Sequence, residues 1–236
     1  MSDTVPGANI TISAEDVKDF KVTYCDENGL IMDLLKKECV PFFEEPIMAV
    51  GGGTADILSR VLAEKKVIHL DVLDFSDVKI PAAHTRVTGD FLNSNVLRGL
   101  RPITTLFMSH VQQFIDGDIA KLKAAIEQAD AKRVILVEDV NDDFLGEVAR
   151  YCLANIPNAN PEVAIEDFPY GYKRVATFPF MATLSCPTFP ELTRQCLYLM
   201  DLEQSEENKA TMSAFLKMHL TSPMFTINQE INVYER

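Results

Sequence analysis

The chain of 236 residues has no tryptophan and only five cysteines, at positions 25, 39, 152, 186 and 196. The cysteine count is odd, and no two cysteines have the CxxC spacing of a zinc or redox motif. This pattern excludes a disulfide-stapled framework and is typical of reduced thiols. The first residues lack the basic and apolar regions of a secretory signal, and no apolar run approaches the length of a membrane span. We therefore expect a soluble cytoplasmic protein.

Positive charge is scarce in this sequence. Lysine and arginine number 22 against 35 aspartates and glutamates, which gives a formal net charge of −13. Such an excess of negative charge opposes binding to nucleic acid and to anionic membranes, so we expect neither as a partner. A small-molecule substrate is the better expectation. With 47% hydrophobic residues, the chain can bury a sizeable core.

The central part of the chain alternates short apolar runs with helical patterns. The apolar runs are 47–50, 67–70, 103–108 and 133–137, with a weak one at 85–88. The clearest helical patterns between them are 54–65, 118–130 and 142–155. This rhythm predicts an α/β fold, namely a Rossmann-like, doubly wound and mostly parallel sheet with helices on both faces.

The pattern changes after residue 155. A long strand is predicted over 174–184, where Pro179 requires a bulge or an edge position. Two helices (190–202 and 205–220) precede a late antiparallel strand over 225–234. We expect an N-terminal helical lid segment over 1–45 and a cofactor-binding domain over 46–236, with a helical cap at about 187–220. The methionine-rich and phenylalanine-rich tail is best explained as core, with a substrate pocket or homodimer face as the alternative.

A glycine turn is the most informative motif. The apolar run 47–50 leads into Gly51, Gly52 and Gly53, a helical pattern follows, and the next apolar run ends at Asp71. Glycines let the backbone approach a ligand closely, and a helix start offers unpaired N–H groups. An acid about 20 residues after the turn, at the tip of the second strand, is placed to bind ribose hydroxyls. The motif predicts a nucleoside-containing cofactor.

Three cofactor classes compete for such a turn. A phosphate-binding P-loop needs a lysine that this sequence does not supply. The dinucleotide fingerprint fits Gly51 and Gly53, but its third glycine position is Asp56, which would repel a pyrophosphate at the helix start. S-adenosylmethionine carries no phosphate and tolerates this acid. The residues therefore favour S-adenosylmethionine over NAD, and an NAD oxidoreductase is the most distant alternative.

Four ordered motifs carry a resemblance to a known family: Val50-Gly-Gly-Gly-Thr54, Asp71, Arg86-Val-Thr-Gly-Asp-Phe-Leu92 and Val134-Ile-Leu-Val-Glu-Asp-Val140. Over roughly residues 46–150 the chain resembles class I S-adenosylmethionine-dependent methyltransferases, most closely the small-molecule O-methyltransferase type. The resemblance implies that the glycine turn holds the aminoacyl end and sugar and that Asp71 binds the ribose. It further implies that the adenine ring contacts Val72, Leu73, Asp90 and Phe91. The methionyl part would lie along Ser109 and His110.

The sequence departs from this family at several positions. Ala49 and Ala55 stand where the family usually has an acid and a glycine, and Gln112 or Gln113 stands where some members have a histidine base. A glutamine amide cannot accept a proton at neutral pH. The candidate catalytic residues are then His110, Gln113 at the family's base position, and Tyr172 in a predicted pocket-edge loop. The alternative for that loop is a tight turn with exposed aromatics. Glu138 and Asp139 are further candidate bases, and His110 is equally readable as a neutral, hydrogen-bonded histidine.

Glu138-Asp139 with Asn141-Asp142 resembles the magnesium ligands of metal-dependent O-methyltransferases. Because strand four ends in Ser109-His110, the oxygen ligand set lacks a member, and Asp142 is equally readable as a helix N-cap. We expect no metal.

The resulting functional hypothesis is methyl transfer from S-adenosylmethionine to a small, largely apolar metabolite. Two alternatives remain open. The same fold could use the cofactor for an intramolecular alkylation or cyclisation that releases methylthioadenosine, or the chain could be a catalytically inactive, cofactor-binding accessory protein.

Overall fold

A computed structural model describes residues 23–51, 54–71, 79–100, 102–111, 119–159, 161, 168–169 and 171–236. Seven helices occur in these ranges: α1 (Glu27–Leu34), α2 (Thr54–Val61), α3 (Ser94–Gly99), α4 (Ile119–Ala129), α5 (Phe144–Asn155), α6 (Phe189–Leu199) and α7 (Glu206–His219). Seven strands accompany them: β1 (Ile47–Val50), β2 (Val67–Asp71), β3 (His84–Thr88), β4 (Thr105–Ser109), β5 (Arg133–Asp139), β6 (Lys173–Ser185) and β7 (Met224–Glu235).

The strands form one sheet in the order β3-β2-β1-β4-β5-β7-β6. The first five are parallel, with Ile47 paired to both Val67 and Thr105, and with Thr105 paired to Arg133. Strands β7 and β6 complete the sheet in the antiparallel sense. This architecture confirms the predicted Rossmann-like fold class, including its late antiparallel strand.

Central strands that are buried on both faces are continuous apolar runs, and β1 and β4 are buried at every position. The helices α2, α4 and α5 follow β1, β4 and β5 as the alternation predicts. Among the described residues, no helix is long and apolar enough to cross a membrane.

The chain divides into two compact units. One consists of residues 29–138, 165–179 and 230–236, and the other of residues up to 28, 139–164 and 180–229, so far as they are described. The first unit has a core of strand and helix side chains that includes Met48, Leu70, Leu106, Ile126 and Leu136. In the second unit, Phe144 on α5 packs on Phe215 of α7 and Phe225 of β7, with ring centroids 5.9 and 5.1 Å away.

Within the described part of the N-terminal segment, the helical structure changes type along the chain. Helix α1 ends at Leu34 and is followed by a π-helical turn, Leu35–Cys39, and a 3-10 turn, Val40–Phe42. Pro41 has no N–H to donate, so a regular α-helix cannot continue through this position. The residues before 23 lie outside the described ranges.

Two further differences concern helix starts. The short helix α3 was not predicted, and the Asn93 side chain caps it by accepting from the Asn95 N–H at 3.0 Å. The N-cap of α5 is Asp143, one residue later than the predicted Asp142, and its Oδ1 accepts from the Gly146 N–H at 3.2 Å. Pro179 does lie in an edge strand, since β6 is the last strand of the sheet, where a missing N–H is tolerated.

Candidate functional site

The candidate site lies where the parallel strands of the first unit end. Parallel strands place their carboxyl ends at one edge of a sheet, and ligands of open α/β folds bind there. Strand β1 ends at Val50, β2 at Asp71 and β4 at Ser109. Residues that the sequence scatters over some 60 positions are thereby brought to one edge.

Gly51 makes the first turn of this edge. Its φ is +97°, which side chains with a Cβ rarely adopt, and its N–H donates to the Leu70 carbonyl of β2 at 3.2 Å. A Cβ at this position would lie 3.5 Å from Cγ1 of Val111, an ordinary contact distance. The glycine is thus required by the backbone conformation of the turn and not by lack of space.

Ser109 and His110 end β4 beside β5. Ser109 pairs with Val137 of β5, and the His110 N–H donates to the Val137 carbonyl at 3.1 Å. His110 has a φ of +49°, an uncommon conformation for a residue other than glycine, and is 8% exposed. Such strain often occurs where a side chain is held for function. The structure therefore places both predicted residues at the carboxyl edge.

The Ser109 hydroxyl offers a direct test of whether a ligand fits here. Its Oγ is buried and has no hydrogen-bond partner among the described residues. A buried hydroxyl without a partner costs free energy, so such groups usually bind a ligand or water. A cofactor with polar methionyl atoms would satisfy this oxygen, and the residues of the edge are compatible with S-adenosylmethionine.

The Gly89-Asp90-Phe91 segment follows β3. A Cβ on Gly89 would lie 3.0 Å from Val96 and 3.3 Å from Leu70, so only glycine leaves these side chains in place. Asp90 is exposed, and its Oδ1 accepts from the Leu92 N–H at 2.8 Å. Phe91 is 5% exposed and belongs to the core of the first unit. The contacts of Asp90 and Phe91 with an adenine ring stay predictions.

Several predicted site residues lie outside the described ranges. These are the glycines 52 and 53, Val72, Leu73 and Gln113, and for Asp71 the structure describes the backbone alone. The backbone of Asp71 ends β2 and pairs with Thr88 of β3, at the edge where its predicted ribose contact requires it.

Tyr172 lies away from this edge, near the amino end of β5, and its catalytic role stays a prediction. Its hydroxyl donates to the Ala131 carbonyl at 2.5 Å, and Ala131 precedes β5 at the amino end of that strand. Phe168 packs edge-on against the ring at a centroid distance of 5.6 Å, and the Arg236 guanidinium lies 5.7 Å over it. Burial raises the pKa of the Tyr172 hydroxyl. Tyr172 is a core residue at the opposite edge of the sheet.

The acidic residues at the end of β5 are each held by an amide. In the first unit, Glu138 accepts from Nδ2 of Asn232 at 2.9 Å. In the second unit, Asp139 accepts from Nε2 of Gln229 at 2.8 Å.

The segment after β5 is also held by hydrogen bonds. Asp142 accepts from Nδ2 of Asn228 at 2.9 Å, and the N–H of Asn228 donates to Asp143. These bonds give the polar side chains after β5 partners within the chain. In the described part of the chain, no group of three or more histidine, cysteine, aspartate or glutamate side chains could hold a metal ion.

Asn232 and Gln229 were not identified from the sequence. Both are buried, at 1% and 2% exposure, on a strand whose other inward side chains are apolar. The available signal was the presence of amide side chains within the predicted strand 225–234, since buried amides require hydrogen-bond partners.

The five cysteines are all free and buried. Burial raises the pKa of the Cys39 and Cys152 thiols to about 12, and it also raises that of Cys196. A thiol with such a pKa is protonated at neutral pH and a poor nucleophile. None of the five is a candidate for covalent catalysis.

The seven-stranded sheet, parallel from β1 to β5 and antiparallel at β7 and β6, has the fold of class I S-adenosylmethionine-dependent methyltransferases. A SAM-dependent methyltransferase from Anabaena variabilis is similar with a TM-score of 0.54 at 11% identity, covering 96% of this chain and 96% of that one. A cyclopropane-fatty-acyl-phospholipid synthase-like protein from Lactobacillus casei is similar with a TM-score of 0.57 at 10% identity, covering 89% and 90%. At these identities the likeness shows the fold alone. No family model and no curated protein matches the chain.

Proposed function

We propose that this protein is an S-adenosylmethionine-dependent methyltransferase that acts on a small, largely apolar metabolite. The observation that carries the proposal is the carboxyl edge of the sheet, where Gly51 turns in a left-handed conformation beside β2. Ser109 presents a buried hydroxyl at the end of β4 that has no hydrogen-bond partner in the part of the chain that the structure describes. Similar structures include a SAM-dependent methyltransferase, which supports the choice of cofactor.

The first turn of α2 supports this cofactor over a dinucleotide. Asp56 lies in that turn and forms an ion pair with Arg60 at 3.1 Å, with both side chains at least half exposed. An exposed ion pair neutralises little of the carboxylate's field in water. A pyrophosphate at this helix start would meet negative charge, whereas a sulfonium cofactor would not.

When bound, S-adenosylmethionine supplies an electrophilic methyl group on a positively charged sulfur. This chain's contribution is to hold an acceptor in line with that group and to take its proton where the acceptor has one to lose. His110 is the first candidate for the proton, because its ring is held at the end of β4 by a constrained backbone. Glu138, fixed by Asn232, is the second candidate.

The net charge of the chain bears on the kind of partner that it binds. We propose neither nucleic acid nor an anionic membrane as a partner, because the chain carries a net charge of −13. A homodimer remains an expectation, as does cytoplasmic location.

Isothermal titration calorimetry with S-adenosylmethionine and with NAD tests the cofactor. Binding of the former alone supports the proposal, and no binding at millimolar concentration overturns it. Product analysis then tests the reaction. Methyl transfer leaves S-adenosylhomocysteine, whereas intramolecular alkylation leaves methylthioadenosine, and cofactor binding without either product would indicate an accessory protein.

A further inference from the structure

Two histidines are buried side by side at the edge of the sheet formed by β2 and β3. Nε2 of His69 lies 2.9 Å from Nδ1 of His84, and Nε2 of His84 lies 3.0 Å from the Leu62 carbonyl oxygen. The two residues are 0% and 6% exposed. Neither lies at the candidate site, and no function was predicted for either from the sequence.

The hydrogen bonds fix where the protons sit. A carbonyl oxygen can only accept, so Nε2 of His84 carries its proton, and the Nδ1 of a neutral His84 is an acceptor. Nε2 of His69 must then donate, which leaves Nδ1 of His69 without a proton. That atom is buried and has no partner among the described residues. The chain Leu62–His84–His69 is complete with both rings neutral, and a proton added at Nδ1 of His69 would lie in the core without an acceptor among the described residues.

Adding one proton to the pair puts a charge and an unpaired N–H into the core. Adding a second would set two N–H groups against each other and break the bond between the rings. Arg86 pairs with His69 across β2 and β3, so a cation already lies nearby, while Ala49 of β1 and the Leu62 carbonyl bring no charge. Burial, His84 and Arg86 together lower the pKa of His69 to about 4.

Strand β3 is the element that can separate from the sheet. Among the described strands it is the last on its side of the sheet and pairs with β2 alone, and it is only five residues long. Short, half-exposed edge strands open at lower free energy than central ones. We propose that the His69–His84 pair makes the β2–β3 pairing acid-labile, so that proton uptake by the pair separates β3 from β2 and brings both rings to water.

The sign of the pH dependence follows from the lowered pKa. The opened or unfolded state binds a proton near pH 6.5, whereas the closed state resists it until about pH 4. The contribution to stability is therefore complete above pH 6.5 and is lost as the pH falls towards 4. The proposal concerns the protein without ligand and does not depend on the proposed function.

Amide hydrogen exchange measures the separation directly. After correction for intrinsic exchange rates, we expect protection at Thr85–Thr88 to fall by roughly twentyfold between pH 7 and pH 5, while amides of β4 change little. A parallel loss of protection in β3 and β4 would overturn the proposal, and so would constant protection in β3.

Replacing both rings by apolar side chains provides the matched variant. His69→Leu with His84→Leu removes the proton site and its partner together, so the pH dependence of β3 protection should disappear. His219→Gln on α7, where the histidine is exposed, is the control and should leave that dependence unchanged.

If the double variant does not fold, nitrogen-15 NMR spectra of the wild-type imidazoles test the proposal instead. Nδ1 of His69 should show the shift of an unprotonated nitrogen down to pH 5, and titration near pH 6.5 in a closed β3 would refute the pair's role.

Discussion

At the scale of the residue, His110 combines a strained backbone with a position at the carboxyl edge. Its φ of +49° is sterically costly for a residue with a Cβ, yet asparagine tolerates this region better than most residues. His110→Asn therefore removes the imidazole while keeping the turn. If His110 takes the acceptor's proton, kcat should fall by about 10²–10⁴-fold, with S-adenosylmethionine affinity unchanged. Steady-state kinetics and calorimetry measure the two quantities.

The pH profile separates a proton-transfer role for His110 from a structural one. A base gives the wild type a pH-dependent limb in kcat that His110→Asn lacks. Full activity in that variant would remove His110 from the mechanism and turn attention to Glu138. For Glu138, Glu138→Gln retains the Asn232 contact on one side of the carboxyl group while abolishing its basicity.

Asp71 supplies a second residue-scale prediction, which rests on the family resemblance and on the place of its backbone at the end of β2. Asp71→Ala should weaken S-adenosylmethionine binding by about 1–3 kcal/mol, because charge-assisted hydrogen bonds to the ribose hydroxyls are lost. Calorimetry measures the change. Asp56→Asn is the matched control, since a phosphate-free cofactor does not sense that acid, and equal losses in both variants would place the ribose elsewhere.

At the scale of the element, two glycines in helices predict opposite effects. A Cβ on Gly146 in α5 would lie 2.1 Å from the Asn141 carbonyl oxygen, whereas a Cβ on Gly29 in α1 would meet nothing within 4 Å. Gly146→Ala should lower the free energy of unfolding by about 2–3 kcal/mol through overpacking of the loop after β5. Gly29→Ala should raise it by about 0.5–1 kcal/mol by favouring the helix. Urea unfolding checks both, and equal effects would contradict the packing argument.

Element patterns explain why so much of the fold could be predicted. The stretches 47–50 and 134–137 are buried on both faces, so their apolar character is continuous and easy to recognise, and β1 and β5 include them. Helix α3 was missed because six residues give less than two turns of periodicity. Its Asn93 cap was the sole local signal.

The candidate site could be predicted only in part, and the reason is physical. A backbone turn can be recognised in the sequence from a residue such as Gly51. The hydrogen-bond partners of a polar side chain, in contrast, depend on the tertiary structure. Tyr172 is an aromatic residue with a hydroxyl, as residues that line pockets often are. Its hydroxyl, however, donates to the carbonyl of Ala131, 41 positions earlier in the chain. Likewise, the sequence around Glu138 does not indicate that the Asn232 amide donates a hydrogen bond to it. Such contacts between distant segments form only in the folded sheet.

At the scale of the whole molecule, the charge excess acts on every element at once. A net charge of −13 makes the folded chain repel itself, since compact states bring like charges together. The exposed ion pairs offset little of this. Lys209 and Glu206 lie 3.0 Å apart with side chains 41% and 93% exposed, and pairs of this kind contribute almost nothing to stability in water. Screening by salt should therefore weaken the repulsion between like charges more than it weakens the attraction within ion pairs.

This balance gives a prediction for salt. Raising sodium chloride from about 20 to 300 mM at pH 7.5 shortens the screening length to under about 10 Å, so the unfolding temperature should rise by a few degrees. The same change at pH 5.0 should have little effect, because that pH lies close to the sequence pI of about 4.7. Calorimetric scans in choline chloride at equal ionic strength control for effects of the sodium ion. A fall in unfolding temperature at pH 7.5 would mean that attractive pairs, and not repulsion, dominate the electrostatic free energy of the fold.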